Sequence, residues 1–359
     1  SLSVSTPTTD TYRHIRDNIL TYKPEVSHDG SQISAQTDVS WDDGVAALDR
    51  GTGVIDINGK IVARGDITFD GGTLNVGNGA RVFAGVNDAN NTVFHKIDPQ
   101  TGETITNNTE AVNNLFDQLV SSKASDGNAF ASDNGNIVIT TKTGVKVSEG
   151  GIIANNNNSE DAAFTITNSG ANGIHILGDV SSQNGTLTLD NGNGELRIDS
   201  TGTINNIGNL NLVNQENNTG LIIDGAINNK GTLNVTNYSG INGLEIGGTI
   251  TNEGDATITN YSNDFYIKSK GNITNNAGTN EDGEQYGTLT LHNKSTAGNF
   301  NIKGTVTSNG TALNMTNDGA GFIVNGNVTS TNGVAAIRNT NGEFLVDTNG
   351  TITSNGTGL

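Results

Sequence analysis

GTLNVTNYSGINGLEIGGTITNE (231–253) is one line of a text that keeps returning. Its closing phrase, GTITN, comes back as GTINN (202–206), GAINN (225–229), GNITN (271–275), GTVTS (304–308), GNVTS (326–330) and GTITS (350–354). Lines begin at Gly185, Gly208, Gly231, Gly254, Gly287, Gly310 and Gly333, spaced by 23 residues except for a ten-residue insertion before Gly287. A period of this size marks a solenoid, because one repeat cannot bury its apolar face until a neighbour stacks on it.

Apolar and polar residues alternate within each line, which is strand periodicity. In the quoted line a first strand supplies Leu233 and Val235, a second Leu244 and Ile246, and a third Ile250. The neighbouring lines match them with Leu210/Leu212, Leu221/Ile223 and Ile227, and with Ala256/Ile258, Phe265/Ile267 and Ile273. Helical repeats need apolar residues three and four apart, and these lines show twos broken by Gly. The expected fold is therefore all-β: a single-stranded parallel β-helix with three short strands per coil of 23 residues. In the closing phrase Gly is expected to permit a tight corner, Ile or Val to enter the core, and Asn or Ser to turn the chain. Coils stack about 4.8 Å apart, so Asn206, Asn229, Asn252 and Asn275 are expected to form a side-chain ladder. Left-handed backbone at the corners is a second expected use of Asn. Structure thus accounts for most of the 55 asparagines.

Three regions are expected. Residues 1–85 hold the first coils, 86–132 an excursion from the solenoid, and 133–359 the regular repeats. GVIDINGKIVARGDITFDGGTLNVGNGARVFAG (53–85) reads as one or two coils. Within the excursion, TEAVNNLFDQLVSS carries Val112, Leu115, Phe116, Leu119 and Val120 on one helical stripe, with Asn108 or Thr109 as cap. A second helix is expected at 9–20, through Tyr12, Ile15, Ile19 and Leu20. Both stripes are expected to pack on the solenoid's side. Residues 21–50 are polar and weakly patterned, and read as a surface excursion carrying Trp41.

The chain has net charge −19, 15% charged residues and no Cys. No basic stripe exists to hold nucleic acid or an anionic membrane surface. Without Cys there are no disulfides, thiolate nucleophiles or zinc–thiolate sites. No apolar run is long enough to span a bilayer as a helix. SLSVSTP reads as the middle of a strand, and GTGL follows just after a new coil begins. A fragment of a longer protein is therefore expected.

SLSVSTPTTDTYRHI (1–15) resembles the late secretion domain of two-partner-secreted exoproteins. ALDRGTGVIDINGKIVARGDITFDGGTLNVGNGARVFAG (47–85) resembles the coils that follow it in filamentous-haemagglutinin-like and leukotoxin-type adhesins. The resemblance covers roughly residues 1–125, and the later repeats share its style. It implies a right-handed β-helix, secretion to the bacterial surface through an outer-membrane two-partner-secretion transporter, and a role in attachment or cell–cell aggregation. The receptor would be a host or bacterial surface molecule or glycan. No catalytic residue and no cofactor are implied.

Parallel β-helices also cleave polysaccharides, using carboxylates that converge on one face of neighbouring coils. Asp199 and Asp224 are the candidates, with Glu195 and Arg197 nearby; two bare carboxylates at one coil spacing would repel, or hold a cation. Solvated turn residues are the plainer reading. Tyr238 and Tyr261 occupy equivalent outward places on successive coils and are the candidate ligand contacts. The acidic insertion NAGTNEDGEQY (276–286) offers Glu281, Asp282 and Glu284 as weak calcium candidates. The five His show no metal-ligand spacing. Asn-x-Ser/Thr sequons include Asn234, Asn237, Asn260, Asn272, Asn293 and Asn327. The expected function is a non-enzymatic shaft of a secreted adhesin; the alternative is a glycan-binding or polysaccharide-degrading β-helix.

Overall fold

A computed structural model describes residues 53–63, 65–87, 109–215, 219–238, 241–279 and 282–356, and the backbone of six short strands between residues 2 and 49. The chain divides into two compact units: Ser1–Gly170 with Gly178–Leu187, and Ala171–Leu177 with Thr188–Leu359. Each is a parallel β-solenoid.

In the second unit the three strands of each line pair, in parallel, with those of the next. Leu233–Asn237 lies on Ala256–Asn260, Leu244–Ile246 on Phe265–Ile267, and Thr249–Asn252 on Asn272–Asn275. The register puts like on like: Leu221 opposite Leu244, then Phe265, Phe300, Phe322 and Phe344. The Phe265, Phe300 and Phe322 rings stack with centroids 4.5 and 4.7 Å apart and planes within 10°. Leu196, Ile204, Leu212, Ile250 and Val306 are completely buried, so the interior is filled by side chains.

Two columns of buried amides run through this unit. In the expected one, Asn206 Nδ2 donates to Asn229 Oδ1 at 2.7 Å, Asn229 to Asn252 at 2.7 Å, and Asn252 to Asn275 at 2.8 Å. Each of the three donors gives its second proton to the carbonyl of the Gly two residues on. The column stops at Asn275, whose Nδ2 is left without a partner, because the next coil carries Ser308, which turns its hydroxyl to the Ala312 carbonyl. The second column, at the end of the first strands, was not expected from the sequence. It runs from Asn191 through Asn214, Asn237, Asn260, Asn293 and Asn317 to Asn339, every link between 2.8 and 3.0 Å.

The corner residues have a different rationale from the expected one. Among the described non-Gly residues only Ala124 and Asn263 take positive φ, so the ladder asparagines are present for hydrogen bonding. Gly225, Gly248, Gly304 and Gly326, which open the closing phrases, are likewise outside the left-handed region. A Cβ on any of them would run into the carbonyl oxygen of the matching Gly one coil earlier. Close approach of coil to coil is what excludes a side chain there.

In the first unit, Val54–Ile57, Lys60–Ala63, Asp66–Val76 and Arg81–Ala84 form the coils expected from 53–85. Ile137–Val147 continues on Asp66–Val76 with one irregularity between Thr141 and Gly144. The surface excursion expected over 21–50 is corrected. Gln32–Ala35, Val39–Trp41 and Val45–Asp49 pair in parallel with the coil that follows, Ile33 opposite Ile55, Val39 opposite Ile61 and Ala46 opposite Ile67. Apolar residues two apart recur there at the coil's own spacing, between polar stretches that obscure them. Of the helix expected at 9–20, residues 9–18 lie outside the described residues, and Ile19–Leu20 is a strand antiparallel to Val39–Trp41.

The helix expected within the excursion, Thr109–Ser122, forms there, and the excursion is closed by an antiparallel bridge between Val86 and Ala131. Asn108 lies outside the described residues. Phe116 and Leu119 are buried against Val62, Phe83, Val86 and Ala154, with the Phe83 and Phe116 rings edge to face at 6.1 Å. Lys123 bonds Asp179 at 2.9 Å, and Gln183 Nε2 donates to the Ser125 carbonyl at 2.7 Å. The helix therefore packs on the outer face of the third strands, as its stripe implies.

Asn237→Ala would orphan the Asn214 donor and the Asn260 acceptor inside the core. Each unsatisfied group costs about 1–3 kcal/mol, so the loss expected from urea denaturation is about 2–6 kcal/mol. The exposed neighbour Asn234→Ala is expected to stay within about 0.5 kcal/mol.

Candidate functional site

The outward residues of the second strands bring the candidate carboxylates together with partners. Arg197 lies between Asp199 and Asp224: Nε donates to Asp199 Oδ1 at 2.8 Å and Nη2 to Asp224 Oδ2 at 2.9 Å. Glu195 approaches the same guanidinium at 3.6 Å. Lys268, two coils beyond Asp224, reaches back to it at 3.4 Å and bonds Glu245 at 2.6 Å. Gly247 makes this reach possible, because a Cβ there would meet both Asp224 Oδ1 and the Lys268 stem. The pair expected to repel or hold a cation is thus bridged by protein cations, and four carboxylates share Arg197 and Lys268. Glu245 and Lys268 were missed from sequence; the signal was the absent side chain at 247.

Burial works against the charge of Arg197, but its hydrogen bond to Asp199 and the fields of Asp199, Glu195 and Asp224 hold the guanidinium above its ordinary value. Burial likewise opposes the charge on Lys268, and Glu245 followed by Asp224 outweighs it. These pairs are a quarter to a third exposed, so their effect on stability is small.

Tyr238 and Tyr261 are exposed and stacked, with centroids 4.7 Å apart and planes 23° apart. Lys294 completes the pile on the next coil, its Nζ 4.8 Å from the Tyr261 centroid and 3.0 Å from the Tyr261 hydroxyl. The faces of Tyr261 are therefore taken by protein groups. Further along, Asp318 is hydrogen-bonded by the Thr340 hydroxyl at 2.7 Å and lies 2.8 Å from His292 Nε2, and these two contacts hold its carboxyl below the usual range.

The insertion is a small antiparallel hairpin, Gly278–Thr279 against Gln285–Tyr286. Asp282 and Glu284 are exposed on it, and Glu281 lies outside the described residues. Among the described residues no group of three or more His, Asp or Glu is arranged to hold a metal ion. Of the sequons, Asn237, Asn260 and Asn293 are buried in the ladder, and Asn234 and Asn327 are exposed.

These features define a parallel β-solenoid repeat protein whose outer rows are ordered by its inner ones. No protein-family model matches the chain, and neither does any curated protein or solved structure.

Folding raises the Lys268 pKa above its ordinary value of about 10.4. The native state then binds more protons than the unfolded chain at alkaline pH. The stability this contributes is whole below that value and is lost as pH rises through the folded one. Urea midpoints measured from pH 8 to 11 are expected to fall more steeply for the wild type than for Lys268→Met.

Proposed function

We propose that this chain is a non-enzymatic shaft segment of a secreted bacterial surface adhesin that contributes to attachment or cell–cell aggregation. The observation that carries the reading is the register of the second unit, in which like residues stack on like from coil to coil around a filled interior. Such a stack serves as a spacer, because its cross-section repeats and its interior excludes solvent. The front-end resemblance supports export to the bacterial surface through an outer-membrane two-partner-secretion transporter. No helix among the described residues is long and apolar enough to cross a membrane. The net charge of −19 suits neither nucleic acid nor an anionic bilayer.

A glycan-binding or polysaccharide-degrading module is the second reading, favoured by the exposed Tyr238 and Tyr261. Sugar stacking needs free aromatic faces, and both faces of Tyr261 are taken, one by Tyr238 and one by Lys294. Cleavage needs a carboxylate free to move a proton, and Asp199 and Asp224 are tied to Arg197. Both arrangements favour the shaft.

Binding of the purified chain to a glycan and matrix-protein array, with and without calcium, tests the choice. A blank array from protein that circular dichroism shows to be folded and β-rich is the expected result. A specific hit abolished by Tyr238→Ala or Tyr261→Ala would replace the shaft reading with a recognition module.

A further inference from the structure

We infer that the outward face of the third strands in the second unit binds the surface of ice. Seven coils, from Thr203–Asn206 to Thr351–Ser354, each offer two outward positions on this strand. Thirteen of the fourteen are Thr or Asn, and Ala226 is the exception. One column carries Thr251, Thr274, Thr307, Thr329 and Thr353 on consecutive coils. The column beside it alternates Thr249, Thr305 and Thr351 with Asn272 and Asn327. All these side chains are partly or fully exposed.

Two features separate this face from the second strands and from the first unit. It carries no charged and no aromatic side chain, although the protein has net charge −19 and the adjoining second strands display Arg197, Glu245 and Tyr266. In the first unit the same strand position carries Val62, Phe83 and Ala154, and the helix Thr109–Ser122 covers them. The Thr/Asn face is thus neither a charged solvated surface nor an apolar seat for a helix.

Its geometry fits a periodic, uncharged solid made of water. Coils repeat every 4.7–4.9 Å or so, and alternate residues along a strand stand about 6.6–6.8 Å apart. Both repeats lie close to oxygen–oxygen repeats on surface planes of hexagonal ice. Thr is stiff at χ1, so each rank presents hydroxyl and methyl in a fixed order. Hydroxyls continue the hydrogen-bonded lattice while methyls sit over its hollows. The register runs without a bulge from Thr203 to Ser354, and Ile204, Ile250, Val306 and Val328 anchor the strands from within. A face held this rigidly does not need to be ordered on binding. The inference stands whether or not the chain is an adhesin shaft.

The test is thermal hysteresis, together with partition of the purified chain into a slowly growing ice polycrystal. The wild type is expected to shape ice, to show hysteresis and to enrich several-fold in the ice fraction. Thr274→Tyr with Thr307→Tyr is expected to abolish both effects, and Thr257→Tyr, on the exposed face of a first strand, to leave them. Circular dichroism checks each fold. Should the tyrosines disturb it, Thr274→Ala with Thr307→Ala, which adds no bulk to these partly exposed positions, must still weaken enrichment. Exclusion of folded wild type from ice overturns the inference. So does equal loss in the Thr257 variant, or retention on a crystalline polysaccharide in place of ice.

Discussion

A primary amide sealed inside a protein must find partners for two protons and an oxygen, and the columns of Asn in this solenoid supply them from identical amides one coil away. That requirement governs much else. It fixes the register of strand on strand, because a one-residue slip would carry each Asn to the surface and each Leu or Phe after it, while links of 22 and 24 residues place their length difference outside the paired strands. The longest line obeys it: Asn260 still reaches Asn293 at 3.0 Å, and the surplus residues leave the coil as the hairpin Gly278–Thr279/Gln285–Tyr286. It also governs glycine placement, since coils close enough for amide contact bring the corner Gly of one against the carbonyl of the last.

An inner repeat imposes an outer one. Every exterior position becomes a row spaced by one coil, and each row must tolerate its own neighbours. Like charges do so badly at that distance, and the protein alternates them, with Arg197 between Asp199 and Asp224 and Lys268 folded back over Gly247. Aromatic rings tolerate it well, as Tyr238 on Tyr261 shows outside and Phe265 on Phe300 inside. Thr and Asn tolerate it too, and apart from Ala226 they make up the outward face of the third strands in the second unit.

The strands, their faces and the coil length were legible because period-2 alternation repeats seven times, and agreement between lines removes the ambiguity of any one of them. The column starting at Asn206 was legible because its asparagines close an obvious phrase. The longer column was not: Asn237, Asn260 and Asn293 read equally well as sequons, and only burial decides between the two. The Lys268–Asp224 contact was hidden because it spans two coils across a missing side chain. The strands at 32–49 were hidden because Gln32–Ala35 and Val39–Trp41 supply only two apolar residues each, and all three become strands through pairing with 54–70.

The asparagine columns are open to direct observation by following the side-chain NH2 resonances of Asn214, Asn237 and Asn260 by NMR after transfer to deuterated water. Their protons are expected to persist as long as the backbone amides of the strands around them, since both open only with the coil itself. Exchange at the rate of exposed Asn234, while those backbone amides remain protected, would show that the columns are not sealed hydrogen-bonded ladders and would contradict the account.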